Sequence, residues 1–256
     1  MTVTSDMTGA GATAVAERHE TTSQAARDWQ RYAWAAGIVY VIALVAESVV
    51  AIGVGLTQND SAGKMASALY EHRARLVVIA CLSVVYAASF LIYLWSLYNQ
   101  LRGTPERPRI LAPLVIAGGV IFVALHAVSD IGITGLVGAK LAAYGAQHDH
   151  SVSYSLYLTT YAFDSVADVF GSLFAVATGL IVLKSGVLPR WLGWMSIVAG
   201  LMFFLQAFGL GGVIASFGLV FDIIGFVLFL IFVLASSIVF LRRPTAVSNT
   251  AAAAIR

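Results

Sequence analysis

The chain has 256 residues, of which 59% are hydrophobic and 11% charged, whereas soluble domains carry roughly 45–50% and about 25%. No globule of this size has an interior large enough for that apolar surface, so a soluble enzyme or binding domain is excluded. The net charge of +2, without a basic patch, excludes nucleic acid as a partner, and the single cysteine, Cys81, excludes an intrachain disulfide framework.

Residues 1–30 are rich in Ala, Thr, Ser and Gly and hold no continuous apolar segment. They are expected to form a disordered cytoplasmic tail, and they do not read as a cleaved signal peptide. Six apolar runs follow, at 33–56, 76–101, 111–136, 156–183, 191–214 and 217–241. Each is long enough to cross a hydrocarbon core of about 30 Å at about 1.5 Å rise per residue. Lipid offers no partner to backbone N–H and C=O groups, so each run is expected to be a helix. The alternating segments of a β-barrel are not visible. The predicted fold class is therefore all-α, a polytopic bundle of six transmembrane helices over 31–243, with a second disordered tail over 244–256.

Between the first two runs, Met65, Leu69 and Tyr70 fall on one helical face, which fits either a helix lying on the membrane surface or an ordinary loop helix. Cys81, within an apolar run, is expected to be a small buried hydrophobe. Gly209 to Gly212 marks the turn between the fifth and sixth runs. The links before the third and fifth runs both end in Pro-Arg, at Pro108-Arg109 and Pro189-Arg190. Two independent Pro-initiated helix starts account for this better than a duplicated hairpin.

Orientation follows from the basic residues, which accumulate on the cytoplasmic side. With the N-terminus inside, Arg18, Arg27, Arg31, Arg102, Arg107, Arg109, Lys184, Arg190, Arg242, Arg243 and Arg256 face the cytoplasm, and Lys64, Arg73, Arg75 and Lys140 do not. That split is 11 against 4 of the 15 basic residues. Both termini are thus expected in the cytoplasm, with the chain in the cell (plasma) membrane. Trp29, Trp34, Trp95, Trp191 and Trp194 fall near the cytoplasmic ends, where they are expected to anchor the helices in the headgroup region.

The chemistry lies in carboxylates placed where carboxylates are costly. Of the 13 acidic residues, Glu47, Asp130, Asp164, Asp168 and Asp222 lie inside predicted spans, and His126 joins them, while no Lys or Arg is comparably deep. All fall in the outer half of the bilayer or near its middle. His126 and Asp130 are four residues apart and are expected to share a face, as are Asp164 and Asp168. Small residues accompany the acids at helical spacing, as in Ala36, Tyr40, Ala43, Glu47 and Ala51, in Tyr157, Tyr161, Asp164, Asp168, Gly171, Ala175 and Gly179, and in Gly218, Asp222 and Gly225. Small residues line helix contacts and ionisable ones avoid lipid, so the acids are expected to converge inside the bundle.

A convergent set without basic partners needs protons, a bound cation or a hydrated cavity open to the outside. Three readings stay open. In the first, the acids and His126 bind or relay protons or another cation, as in a transport or small-molecule-binding protein whose further helices come from a homo-oligomer. In the second, His126, Asp130, Asp164 and Asp168 hold a divalent metal in a membrane-embedded hydrolase; His148 and His150 could fold over such a site, although a solvated loop accounts for them better. In the third, protonated acids fix helix register in a non-catalytic structural protein with a scaffolding or homeostatic role in the lipid bilayer.

The segment Lys184-Ser185-Gly186-Val187-Leu188-Pro189-Arg190-Trp191-Leu192-Gly193-Trp194, leading into Ile197-Val198-Ala199-Gly200, resembles a stretch of the bacterial membrane family called domain of unknown function 4386. The hydropathy layout is similar from residue 34 to 241. The resemblance implies a six-helix fold and a cell-membrane location, and it carries no activity and no functional residues with it.

Overall fold

In a computed structural model of the chain, which describes residues 7–56, 60–103, 110–209 and 215–242, the greater part of every apolar run lies in a helix that closes its own backbone hydrogen bonds. Helix α1 spans Met7–Ile52, α2 Ala62–Glu71, α3 Arg73–Arg102 and α4 Leu111–Ala127. The last runs on through a π-helical segment, Val128–Gly138, into α5, Ala139–Gln147. Then come α6, His150–Ser185, α7, Arg190–Gly209, and α8, Ala215–Arg242. Among the described residues there is no strand. Six stretches are long and apolar enough to span a membrane, Asp28–Ile52, Arg73–Arg102, Leu111–Gly135, His150–Ser185, Arg190–Ala207 and Val220–Arg242. The expected six-span, all-α bundle is what the chain forms.

Helix α1 begins at Met7, so most of the stretch expected as a disordered tail is helical. Its Ala, Glu, Arg and Gln are strong helix formers. The polarity that suggested disorder keeps residues 7–27 outside the first span. Residues 104–109 and 210–214, which include Pro108-Arg109 and most of the Gly209 to Gly212 turn, lie outside the described part, as does the tail over 244–256.

The spans close into a ring. Helix α1 packs between α3 and α8, α3 meets α4 and the π-helical segment, α4 meets α6, α6 meets α7, and α7 meets α8. Close approach depends on small residues. A Cβ at Gly118 of α4 would come within 2.9 Å of both Phe170 O and Phe174 N of α6, so that crossing requires glycine. Ser196 of α7 donates to Ala175 O of α6 at 2.7 Å. Gly186 ends α6 with φ +62°, in the left-handed conformation that suits glycine, and its N–H bonds Val182 O at 3.0 Å.

The two ends of the ring differ. At the tail end, where the first span begins and the last one finishes, the interior is aromatic. Phe90 is fully buried among Tyr40, Phe122, Phe174 and Phe229 at ring-centre distances of 5.0, 5.9, 5.8 and 6.1 Å. Trp34, expected as a headgroup anchor, belongs here too. It is 3% exposed and stacks on Phe240 at 4.1 Å, because the helical turn that carries it faces α8. Trp29, Trp95, Trp191 and Trp194 are exposed, as an anchor must be.

At the opposite, capped end, α2 and α5 pack on α6 and on each other. Met65 is 0% exposed and Leu69 6%, so the apolar face of α2 is spent on the protein and does not lie on the membrane. Leu69 joins Val54, Leu76, Ile79 and Ala142 in a small separate core. Asp149 caps α6 by accepting from Ser151 N at 2.9 Å and Ser151 Oγ at 2.6 Å, and these bonds hold its carboxyl below the ordinary range. Arg75 of α3 donates to Gly53 O just beyond the end of α1. Cys81 is exposed on α3, against the expectation of a buried thiol. In a bilayer that face meets hydrocarbon, an apolar setting that serves a thiol as well as a core does.

Candidate functional site

Between the aromatic interior and the cap lies a polar layer to which every span contributes. Helix α6 supplies two carboxylates one turn apart, Asp164 and Asp168, and α4 supplies His126. The imidazole stands between them, with Nδ1 3.2 Å from Asp164 Oδ1 and Nε2 3.8 Å from Asp168 Oδ1. Its ring meets the edge of Phe122 at 4.7 Å, so His126 sits on the roof of the aromatic layer. Asp168 is the deepest acid, with 6% of its side chain exposed, while Asp164 keeps 32%. Asp164 Oδ1 is buried, with the His126 imidazole at 3.2 Å as its ion-pair partner.

Asp130 is placed by the backbone. At Val128 the helix widens to π-type hydrogen bonding, and Asp130 falls in its first turn. The carboxylate there accepts a short hydrogen bond from Tyr86 of α3. His126 lies just before the widening and keeps its α-helical direction towards α6. The expected common face of His126 and Asp130 is therefore split, with Asp130 held by α3 and His126 by α6. Neighbouring Ser129, fully buried, reaches Thr160 O of α6 at 3.4 Å.

Glu47 of α1 is within electrostatic reach of Asp130, His126 and Asp164. Asp222 of α8 feels His126, Asp164 and Asp168, and it accepts a hydrogen bond from the Gln206 amide of α7, whose Oε1 is left unpartnered. Glu47, His126, Asp130, Asp164, Asp168 and Asp222 are thus linked as electrostatic neighbours through His126 and Asp164. Sequence reasoning passed over Tyr86 and Gln206, because it searched the spans for formal charge. The signal available was a lone amide in the fifth apolar run and a tyrosine on the inward face of the second.

The metal-ligand set read from the sequence does not assemble. Among the described residues, no three of His, Cys, Asp and Glu are arranged to hold a metal ion. Both nitrogens of His126 face carboxylates, which leaves no imidazole lone pair directed at a shared ion, and Asp130 is turned to Tyr86. His148 and His150 do not fold over the layer. His148 stacks on Tyr144 of α5 at 4.8 Å, and His150 lies beside Gly63 of α2, so both are exposed parts of the cap.

The sequence profile of a family described as a domain of unknown function (DUF4386) matches residues 35–249, from the first span through the last. The chain belongs to this family. With that match and six apolar helices, the protein is a multi-pass integral membrane protein of the DUF4386 family. Nothing among curated proteins or solved structures matches the chain.

Proposed function

We propose that this DUF4386 protein binds a cation in the carboxylate layer and exchanges it for protons, as a proton-linked transport or binding protein of the plasma membrane. The observation that carries this reading is the composition of the layer. Glu47, Asp130, Asp164, Asp168 and Asp222 converge around a single imidazole, and no Lys or Arg acts on them among the described residues. Each ionised group near the middle of a bilayer costs about 2.5–3.5 kcal/mol on insertion scales, so five acids are tolerated only with positive charge bound among them. Protons supply it in one state and the cation in the other. The basic-residue split of 11 against 4 supports a cytoplasmic N-terminus. In that orientation the cap and the layer face outward, and the aromatic interior separates the layer from the cytoplasm.

The test is a proton-release titration of the purified full-length chain in weakly buffered detergent with a pH indicator. Sodium, calcium, manganese and tetraethylammonium chlorides are added in turn. At least one is expected to release protons, and the release should vanish in Asp164→Asn and Asp168→Asn. If none of these salts releases protons from the wild-type chain, the exchange reading is wrong and the acids serve helix register alone.

A further inference from the structure

The layer is covered by the cap on the side of α2 and α5, and one helix face leads through that cover. On α6, Tyr157, Tyr161, Asp164 and Asp168 follow one another along a single stripe. The hydroxyls of Tyr157 and Tyr161 are 3.1 Å apart, with rings edge to face at 5.2 Å, so a hydrogen bond joins them and either oxygen can be the donor. Both residues are half-buried, as the wall of a passage would be.

Tyr157 lies in the field of an acid on either side, and Tyr161 shares the helix face that leads to the second. On the cap side Tyr157 is in electrostatic contact with Asp60, which pairs with Lys64 at 2.6 Å. Asp60 has 13% of its side chain exposed and Lys64 58%, so this carboxylate reaches water at the rim. On the layer side Tyr157 also feels Asp164, and Tyr161 stands one helical turn before it. Next to Tyr157, under Leu69 of α2, lies a hollow of ≈ 10 Å³ whose lining includes Thr134 and Thr160. That is about the room one water molecule needs, beside three hydroxyl-bearing residues.

We infer that Tyr157 and Tyr161 form a proton wire from Asp60 at the cap to Asp164 in the carboxylate layer, resting on the proton-exchange reading above. In one passage Tyr161 gives its hydroxyl proton to Asp164 and takes one from Tyr157. Tyr157 is refilled from protonated Asp60, directly or through a water in the adjacent hollow that takes a proton from Asp60 as it gives one up, and Asp60 is reprotonated from the bulk. One O–H bond breaks and one forms at each tyrosine, and the net change is one proton moved inward with both phenols restored. The charged groups facing the wire are Asp60 and Lys64 from the α2 side and Asp164 from α6, with His126 and Glu47 beyond it. The tyrosines are positioning and relay residues, and the equilibrium proton occupancy belongs to the acids. Removing a phenolic hydroxyl should therefore change how fast the layer protonates and leave unchanged how much.

The experiment is a rapid pH drop on the full-length chain, followed through the infrared C=O band of protonated carboxyl groups that is missing in Asp164→Asn. Tyr157→Phe and Tyr161→Phe should each slow the rise of this band by roughly ten-fold or more and keep its amplitude, since a positioned proton donor is worth at least that much. Tyr98→Phe, at the tail end, should keep the wild-type rate. Wild-type rates in both relay variants would overturn the wire while leaving proton exchange standing. A wild-type band that does not respond to pH would instead sink the exchange reading, and the wire with it. Should a relay variant fail to fold, the wild-type rate in D2O decides: a slower rise supports transfer through hydroxyls, and an unchanged one overturns it.

Discussion

Along the axis of the helix ring, the interior changes character within a single turn of α4. Phe122 faces the tail end, packed against Phe90, Phe203 and Phe229, and His126, four residues on, faces Asp164 and Asp168. The aromatic part is closed by ring contacts. Both parts bury unpartnered oxygens, Thr178 Oγ1 and Ser237 Oγ towards the tail end and Gln206 Oε1 in the carboxylate part, and it is the second that gathers the acids. A core selected for stability alone would not stop at Phe122. The aromatic part holds the ring together, and the carboxylate part spends some of that stability on groups that exchange charge.

Substitutions in the two regions should separate these roles. The largest effect is expected from Phe90→Ala, which removes a ring touching five others and should cost about 3–5 kcal/mol, read as a loss of folded protein in a thermal or SDS titration. A cost near zero would mean that the aromatic interior is not what closes the ring. Gly118→Ala comes next. Its methyl group would press on the backbone of α6 at 2.9 Å, a strain of about 1–3 kcal/mol that the same titration measures.

In the carboxylate layer the signs change. Asp168→Asn keeps the shape and removes a buried charge, so the melting temperature should hold or rise while proton release is lost. A clear destabilisation would reassign Asp168 to helix packing. Tyr86→Phe deletes one hydrogen bond and should cost about 1 kcal/mol. Hydrogen exchange should rise through Val128–Gly138 first, because the Tyr86–Asp130 bond is the polar tie of this segment to α3, beside the packing of Gly135 on Ala80. The smallest change belongs outside the membrane. Asp149→Ala loses the cap of α6, and its effect should fade as pH falls through the folded pKa of Asp149, since protonation already weakens the wild-type cap. Equal effects at acidic and neutral pH would show that the carboxylate contributes no charge-dependent capping.

Much of this was legible before any coordinates. The six runs predicted the six spans because hydrocarbon forces each to satisfy its own backbone, and that requirement is local to each run. The stripe from Tyr157 to Gly179 gave the inward face of α6 correctly, and Glu47 and Asp222 were placed towards the interior by the small residues around them. Other expectations failed where the deciding contact came from another helix. Trp34 is a core residue because Phe240, some two hundred positions away, stacks on it. For α2 the sequence left a membrane-surface helix and a loop helix open, and the surface that α5 and α6 supply decides for the second.

The sequence by itself therefore determined the helices, the family resemblance, the depth of the acids and their lack of basic partners, since each depends on composition and helical period within one segment. Only the tertiary structure decided which groups meet. It set His126 between Asp164 and Asp168, split Asp130 away to Tyr86 through a change of helix type, and brought in Gln206 to complete the ring. Those outcomes depend on how helices rotate and cross against neighbours distant in the chain, and no periodicity within a single run encodes that.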